Sequence, residues 1–108
     1  MSVMSIYALY GLKGLSLMDA RSKVESALGC TFEERESSYQ GGIYYRFQAG
    51  EEESFVLKNN LDPFDAEAVE ARFAEYDVLL YVDATQRSAP IRSLLGPEFC
   101  LLREEADD

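Results

Sequence analysis

The stretch ESSYQGGIYYRFQAGEEESFVL, residues 36–57, contains two turn signals between strand-like segments. Gly41-Gly42 is typical of a hairpin turn, because glycine adopts positive φ without steric cost. In residues 43–48 that follow, apolar and more polar side chains alternate with the period of a half-buried strand. Residues 50–53 mark a second turn, and residues 55–57 form the next short strand. The stretch therefore predicts two consecutive hairpins, which place antiparallel strands in the sheet.

The N-terminal side of this stretch predicts a strand, a helix and an edge strand. Val3 to Tyr10 is rich in β-branched and aromatic residues and stops at Gly11, which favours a strand. The run from Ser16 to Leu28 has a capping-box-like start and an apolar stripe at helical spacing, and the glycine after it suits a left-handed C-cap. Residues 31–38 are mostly charged, which indicates an exposed or edge strand.

The C-terminal side predicts a weaker helix, a central strand and a second clear helix. Residues 61–77 favour a short helix, because Asp62-Pro63 is a good helix start. The run Val78 to Val82 is apolar without alternation, as expected of a strand covered on both faces. Ser88 is the predicted cap of the second helix, which Gly96-Pro97 closes.

The last strand is predicted at residues 98–103, before an acidic tail, 104–108, that we expect to fray. The order is βαβββ(α)βαβ. It predicts an α+β protein with a single mixed, mostly antiparallel sheet and two or three helices. With 108 residues and no linker or repeat, we expect residues 1–108 to form one domain.

The composition is hydrophobic enough to fold and strongly acidic. Apolar residues make up 47% of the chain and aromatic residues 12%, and the net charge is −10. Residues 31–77 hold four basic and twelve acidic residues, a net charge of −8. Phosphates of nucleic acids and anionic membranes would be repelled, so we expect neither as a direct partner. A basic partner is favoured instead.

Residues that commonly carry catalysis or bind metal are scarce. There is no histidine, which removes the usual general base and the commonest metal ligand. A catalytic carboxylate pair has no sequence spacing of its own, so that possibility stays open. Asp62, Asp65 and Glu67 lack the spacing and central glycine of a calcium loop and are more typical of a helix start. We therefore expect no catalytic residues, no metal and no cofactor.

The two cysteines and the N-terminus indicate the compartment. Cys30 and Cys100 have no CxxC spacing and lie beside apolar residues, which favours two buried, reduced thiols over a disulfide. The N-terminus has no positively charged start followed by an apolar run, and no apolar stretch has membrane-spanning length. We expect a cytoplasmic, soluble protein.

The seven tyrosines fall into two groups. Four lie in apolar strand contexts and are predicted core residues: Tyr7, Tyr10, Tyr45 and Tyr81. Three lie beside polar residues, turns or acids: Tyr39, Tyr44 and Tyr76. For these three, ordinary partial burial and a role as a rigid interface anchor remain equally open.

Three stretches resemble bacterial immunity proteins of contact-dependent growth inhibition and wider polymorphic-toxin systems. They are IYALYGLKG at 6–14, ESSYQGGIYYRF at 36–47, and NNLDPFD through EYDVLLYVDAT at 59–85. The resemblance extends over most of the chain but contains no diagnostic motif. It implies a non-catalytic protein that binds and neutralises a cognate basic toxin domain, often a nuclease, by occluding its active site.

The resemblance itself fixes no functional residues. The acidic clusters and the tyrosines in polar contexts predict an interface of acids that mimic substrate phosphates and of aromatic anchors. The expected partner-binding residues are Glu33, Glu34, Glu36, Tyr39, Tyr44, Glu51, Glu52, Glu53, Asp62 and Asp65. Two other classes of function remain alternatives. One is an acidic nucleic-acid mimic that inhibits a host defence enzyme, and the other is a small ligand-binding or enzymatic domain.

Overall fold

The computed structural model describes residues 4–37, 42–61 and 67–107. They form six strands, two α-helices and one short 3₁₀-helix. In chain order these are β1 (Ser5–Leu12), α1 (Leu17–Leu28), β2 (Glu33–Ser37), β3 (Gly42–Gln48), β4 (Ser54–Asn59), the 3₁₀-helix (Ala71–Phe73), β5 (Val78–Thr85), α2 (Ser88–Leu95) and β6 (Cys100–Asp107). The predicted α+β class and order of elements are confirmed.

The strands form one six-stranded sheet in the order β2-β3-β4-β5-β1-β6. All five pairs of neighbouring strands are antiparallel, so the described sheet is not mixed. Each α-helix does join two strands that run in the same direction, as a crossover requires. However, β1 lies between β5 and β6, and three strands separate β1 from β2. The helices therefore produce no hydrogen-bonded parallel pair.

The main core lies between the two helices and one face of the sheet, which we call the helix face. The predicted central strand is confirmed, since Val78, Leu79 and Leu80 are completely buried. Both ends of α1 are also confirmed. The Ser16 hydroxyl accepts a hydrogen bond of 3.1 Å from a backbone amide in the first turn. Gly29 adopts φ 66°, the left-handed conformation that glycine tolerates without strain.

The opposite face of the sheet, which we call the far face, is partly covered by the chain between β4 and β5. A short helix was predicted at 61–77, but among the residues described there only Ala71–Phe73 is helical, as a 3₁₀ turn. The buried Asn60 holds this connection. Its amide donates to the carbonyls of Phe73 and Tyr76 at 2.9 and 3.0 Å, and its carbonyl accepts from the backbone of Glu70 at 2.9 Å. These hydrogen bonds tie the described part of the connection to the end of β4; residues 62–66, where the predicted helix begins, lie outside the described residues.

The second helix and the last strand differ from their predictions at the ends. Ser88 is the first residue of α2 and not its cap, since Arg87 occupies that position without a side-chain capping bond. The tail predicted to fray is strand as far as Asp107, because β1 offers it a hydrogen-bonding edge down to Ser5. Asp108 lies outside the described residues.

The predicted burial of Cys100 and Tyr7 is wrong, and that of Tyr81 is only partly confirmed. Cys30 is buried, but Cys100 is exposed because it begins an edge strand; both are free thiols. Tyr10 and Tyr45 are core residues, whereas Tyr7 is 39% exposed on the far face and Tyr81 is half-buried there. In the part of the chain described, no helix is both long and apolar enough to cross a membrane.

Candidate functional site

The acids of β2 do not share one face. Side chains alternate along a strand, so Glu33 points to the far face while Glu34 and Glu36 point to the helix face. Glu33 lies 3.2 Å from the guanidinium of Arg35. Glu34 accepts a hydrogen bond of 3.1 Å from the hydroxyl of Tyr45. β2 is an edge strand, as predicted, and its acids are divided between two surfaces.

The three glutamates of the turn between β3 and β4 have different surroundings. Glu51 and Glu52 are exposed, while the side chain of Glu53 is only 14% exposed and turns inward. Glu53 accepts a 2.5 Å hydrogen bond from the hydroxyl of Thr85 and a two-pronged contact from Arg87 at 2.9 and 3.1 Å. These bonds make Glu53 part of the framework, and they leave Glu51 and Glu52 as the acids of this turn that a partner can reach.

The pKa of Glu53 reflects this contact. Its burial alone would raise the pKa, but the hydrogen bonds from Arg87 and Thr85 outweigh that effect and hold the pKa below its ordinary value.

A backbone irregularity makes the contact between Glu53 and Thr85 possible. A β-bulge at Ala84, with φ 54°, turns Thr85 to the helix face, where it pairs with Ile6 and reaches the glutamate.

Tyr44 lies apart from the acids of the turn. It is half-buried on the far face of β3, between Arg35 of β2 and Lys58 of β4 in the strand register. Basic neighbours therefore flank it on both sides. The predicted contacts Tyr39, Asp62 and Asp65 lie outside the described residues.

The antiparallel sheet brings together acids that are far apart in the chain. The start of β2, the β3–β4 turn, the end of β5 and the end of β6 all lie at one end of the sheet. We call this region the acidic end. Its exposed acids are Glu33, Glu51, Glu52, Glu104, Glu105 and Asp107. Across the sheet, β4 at one side of the β3–β4 turn is three strand spacings from β6, or about 14 Å.

The acids of β6 were missed because the sequence EEADD has the composition of a disordered tail. No local signal in the sequence assigns these residues to a strand, because their pairing with β1 depends on the strand order. Among the described residues, no basic side chain forms a salt bridge with Glu51, Glu52 or the acids of β6.

Two clefts of the described surface are open to solvent. One of about 470 Å³ adjoins the acidic end, between residues 50–53 and the loop that contains Ala84, Gln86 and Arg87. Another of about 460 Å³ lies between α1 and α2, near Lys23 and Glu98. Among the described residues, no group of three or more acids and cysteines is arranged to hold a metal ion.

The comparisons with known proteins were all negative. The chain matches no protein-family model, and neither the curated proteins nor the solved structures give a match. The functional argument therefore depends on this chain's own residues.

Proposed function

We propose that this protein is a non-catalytic inhibitor that binds and neutralises a basic protein, as an immunity protein neutralises a cognate toxin domain. The observation that carries the proposal is the acidic end. Three segments far apart in the chain, at residue 33, at 51–52 and at 104–107, contribute exposed acids to one end of the sheet. Such a surface attracts and orients a cationic partner during association.

The proposed mechanism is occlusion of a basic surface. Carboxylates on a rigid sheet end would take the places of substrate phosphates against lysines and arginines of the toxin, and the bulk of the sheet would exclude the substrate. Glu51, Glu52 and the acids of β6 carry this role. Glu53 supports it indirectly, because its bonds to Thr85 and Arg87 hold the turn in place.

The experiment is a tagged capture from the native host at about 0.1 M salt, where charges interact over about 10 Å, repeated at high salt. The captured protein is then expressed with and without this chain, and cell growth is measured. We expect one stoichiometric basic protein that survives the salt wash, is toxic alone and is harmless with this chain. A set of basic proteins that all dissociate in salt, or a captured protein whose toxicity is unchanged, would contradict the proposal.

A further inference from the structure

The far face of the sheet carries an exposed tyrosine between two acids. The register places Tyr7 of β1 directly opposite Glu105 of β6. Asp83 of β5, on the other side of β1, also lies on the far face. Tyr81 pairs with Leu9 on that face, and Asp83 is two residues further along β5. Adjacent strands are about 4.8 Å apart, so the backbones at Asp83 and Glu105 are about 10 Å apart, on either side of the strand that carries Tyr7.

Asp83 is the unusual member of this group. It is half-buried, and the carboxylate forms no hydrogen bond or ion pair within the described chain. Burial accordingly raises the pKa of Asp83. A partly desolvated charge without a partner is unfavourable, and surfaces that bind charged partners contain such groups.

The nearby cations of the far face have other contacts. Arg103 is 3.3 Å from Glu70, and Lys58 lies over the Tyr81 ring at 5.0 Å from its centroid. Arg46 donates to Gln48 at 2.6 Å. Among the described residues, no basic side chain therefore forms an ion pair with the carboxylate of Asp83.

We infer that Tyr7, Asp83 and Glu105 form a seat for an arginine side chain of a basic protein partner. A guanidinium stacks on an aromatic ring and forms two parallel hydrogen bonds with a carboxylate, which suits a ring flanked by acids. A twofold contact that packed these three residues against the same residues of a second copy would bring carboxylates together. Among the described residues, no three or more acids or cysteines are grouped so as to hold a metal ion, which disfavours a metal at this place. The inference rests on the proposed function for the partner's identity, but the seat can be tested without that partner.

The test uses a hexa-arginine peptide as the probe, with amide chemical shifts and the dissociation constant as readouts at low salt. We expect the largest shift changes at Tyr7, Asp83 and Glu105. Asp83→Asn and Tyr7→Leu should each weaken binding about fivefold or more. The matched control Glu75→Gln, which neutralises an exposed acid elsewhere, should weaken binding less than twofold.

Two further readouts separate binding from folding. Asp83→Asn removes an uncompensated charge, so its melting temperature should equal or exceed that of the wild type. The carboxyl pKa of Asp83, measured by NMR, should fall when the peptide is added, because a cation then stabilises the charged form.

Three results would overturn the inference. The first is that the shift changes are centred on Glu51 and Glu52. The second is that Asp83→Asn weakens binding no more than Glu75→Gln does. The third is that shifts at the seat depend on protein concentration without peptide, which would indicate a second copy.

The outcome of this test is independent of the capture experiment. If a toxin is captured and Asp83→Asn binds it normally, the seat is wrong and the proposed function stands. If the peptide occupies the seat and no toxin is found, the proposed function fails alone.

Discussion

Glu52 and Glu53 are adjacent in the chain but have opposite surroundings. Glu52 is exposed, whereas Glu53 is held by Thr85 and Arg87. A hydrogen bond to a charged group contributes more than a neutral one, and removing one partner leaves the other without compensation. The completely buried hydroxyl of Thr85 depends on this carboxylate.

Glu53→Gln should therefore lower the free energy of unfolding by about 1–3 kcal/mol at neutral pH. The pKa of Glu53 is lowered in the folded state, so its stabilisation is present above the ordinary pKa of 4.5 and is lost as the pH falls through the folded value. The difference from the wild type should accordingly shrink below pH 4.5. Urea denaturation at neutral and acid pH measures it. Glu52→Gln is the control and should change stability by less than about 0.5 kcal/mol; an equal loss in both variants would contradict this role.

At the level of secondary-structure elements, the length of β6 determines how much of β1 is paired on the side away from β5. Residues Ser5 to Ala8 of β1 pair with residues 104–107, so the acidic C-terminal segment completes the sheet. Charged side chains on an edge strand also discourage pairing with other chains. The segment thus serves the fold while it presents acids to solvent.

Ending the chain after Arg103 should destabilise the protein by about 2–4 kcal/mol, because several backbone hydrogen bonds of about 1 kcal/mol each are lost. A fall in melting temperature measures this effect. The control keeps the strand but removes its charges, as Glu104→Gln, Glu105→Gln and Asp107→Asn together. The control should be as stable as the wild type or more stable, since fewer like charges lie together. An unchanged melting temperature in the truncated chain would support a frayed tail instead.

At the level of the whole molecule, the position of a charge matters more than its number. Glu51 belongs to the acidic end, and Glu75 is another exposed acid, in the connection before β5. A lysine at either position changes the net charge by the same amount. Any difference between the two variants in binding therefore reports where the partner approaches.

Glu51→Lys should slow association with the captured partner by about tenfold at low salt and reduce the salt dependence of the rate, because electrostatic steering acts on the encounter. Glu75→Lys should change the rate by less than about threefold. Stopped-flow or surface-based kinetics at two salt concentrations distinguish the variants. Equal rates in both would remove the β3–β4 turn from the approach surface.

The sequence by itself determined those features that depend on neighbours in the chain. The cap at Ser16, the left-handed Gly29, the two hairpins and the buried run at 78–80 were predicted because each has a local steric or periodic signal. The same signals were sufficient for the α+β class. They also indicated that β2 is an exposed or edge strand, since its residues are mostly charged.

Only the tertiary structure decided which residues meet. Strand order placed residues 104–107 beside β1 and at the same end of the sheet as Glu51 and Glu52. The same order exposed Tyr7 and Cys100, which their apolar neighbours had suggested were buried. The physical reason is that a side chain's face and surroundings depend on register with strands far away in the chain, and a shift of one residue reverses the face.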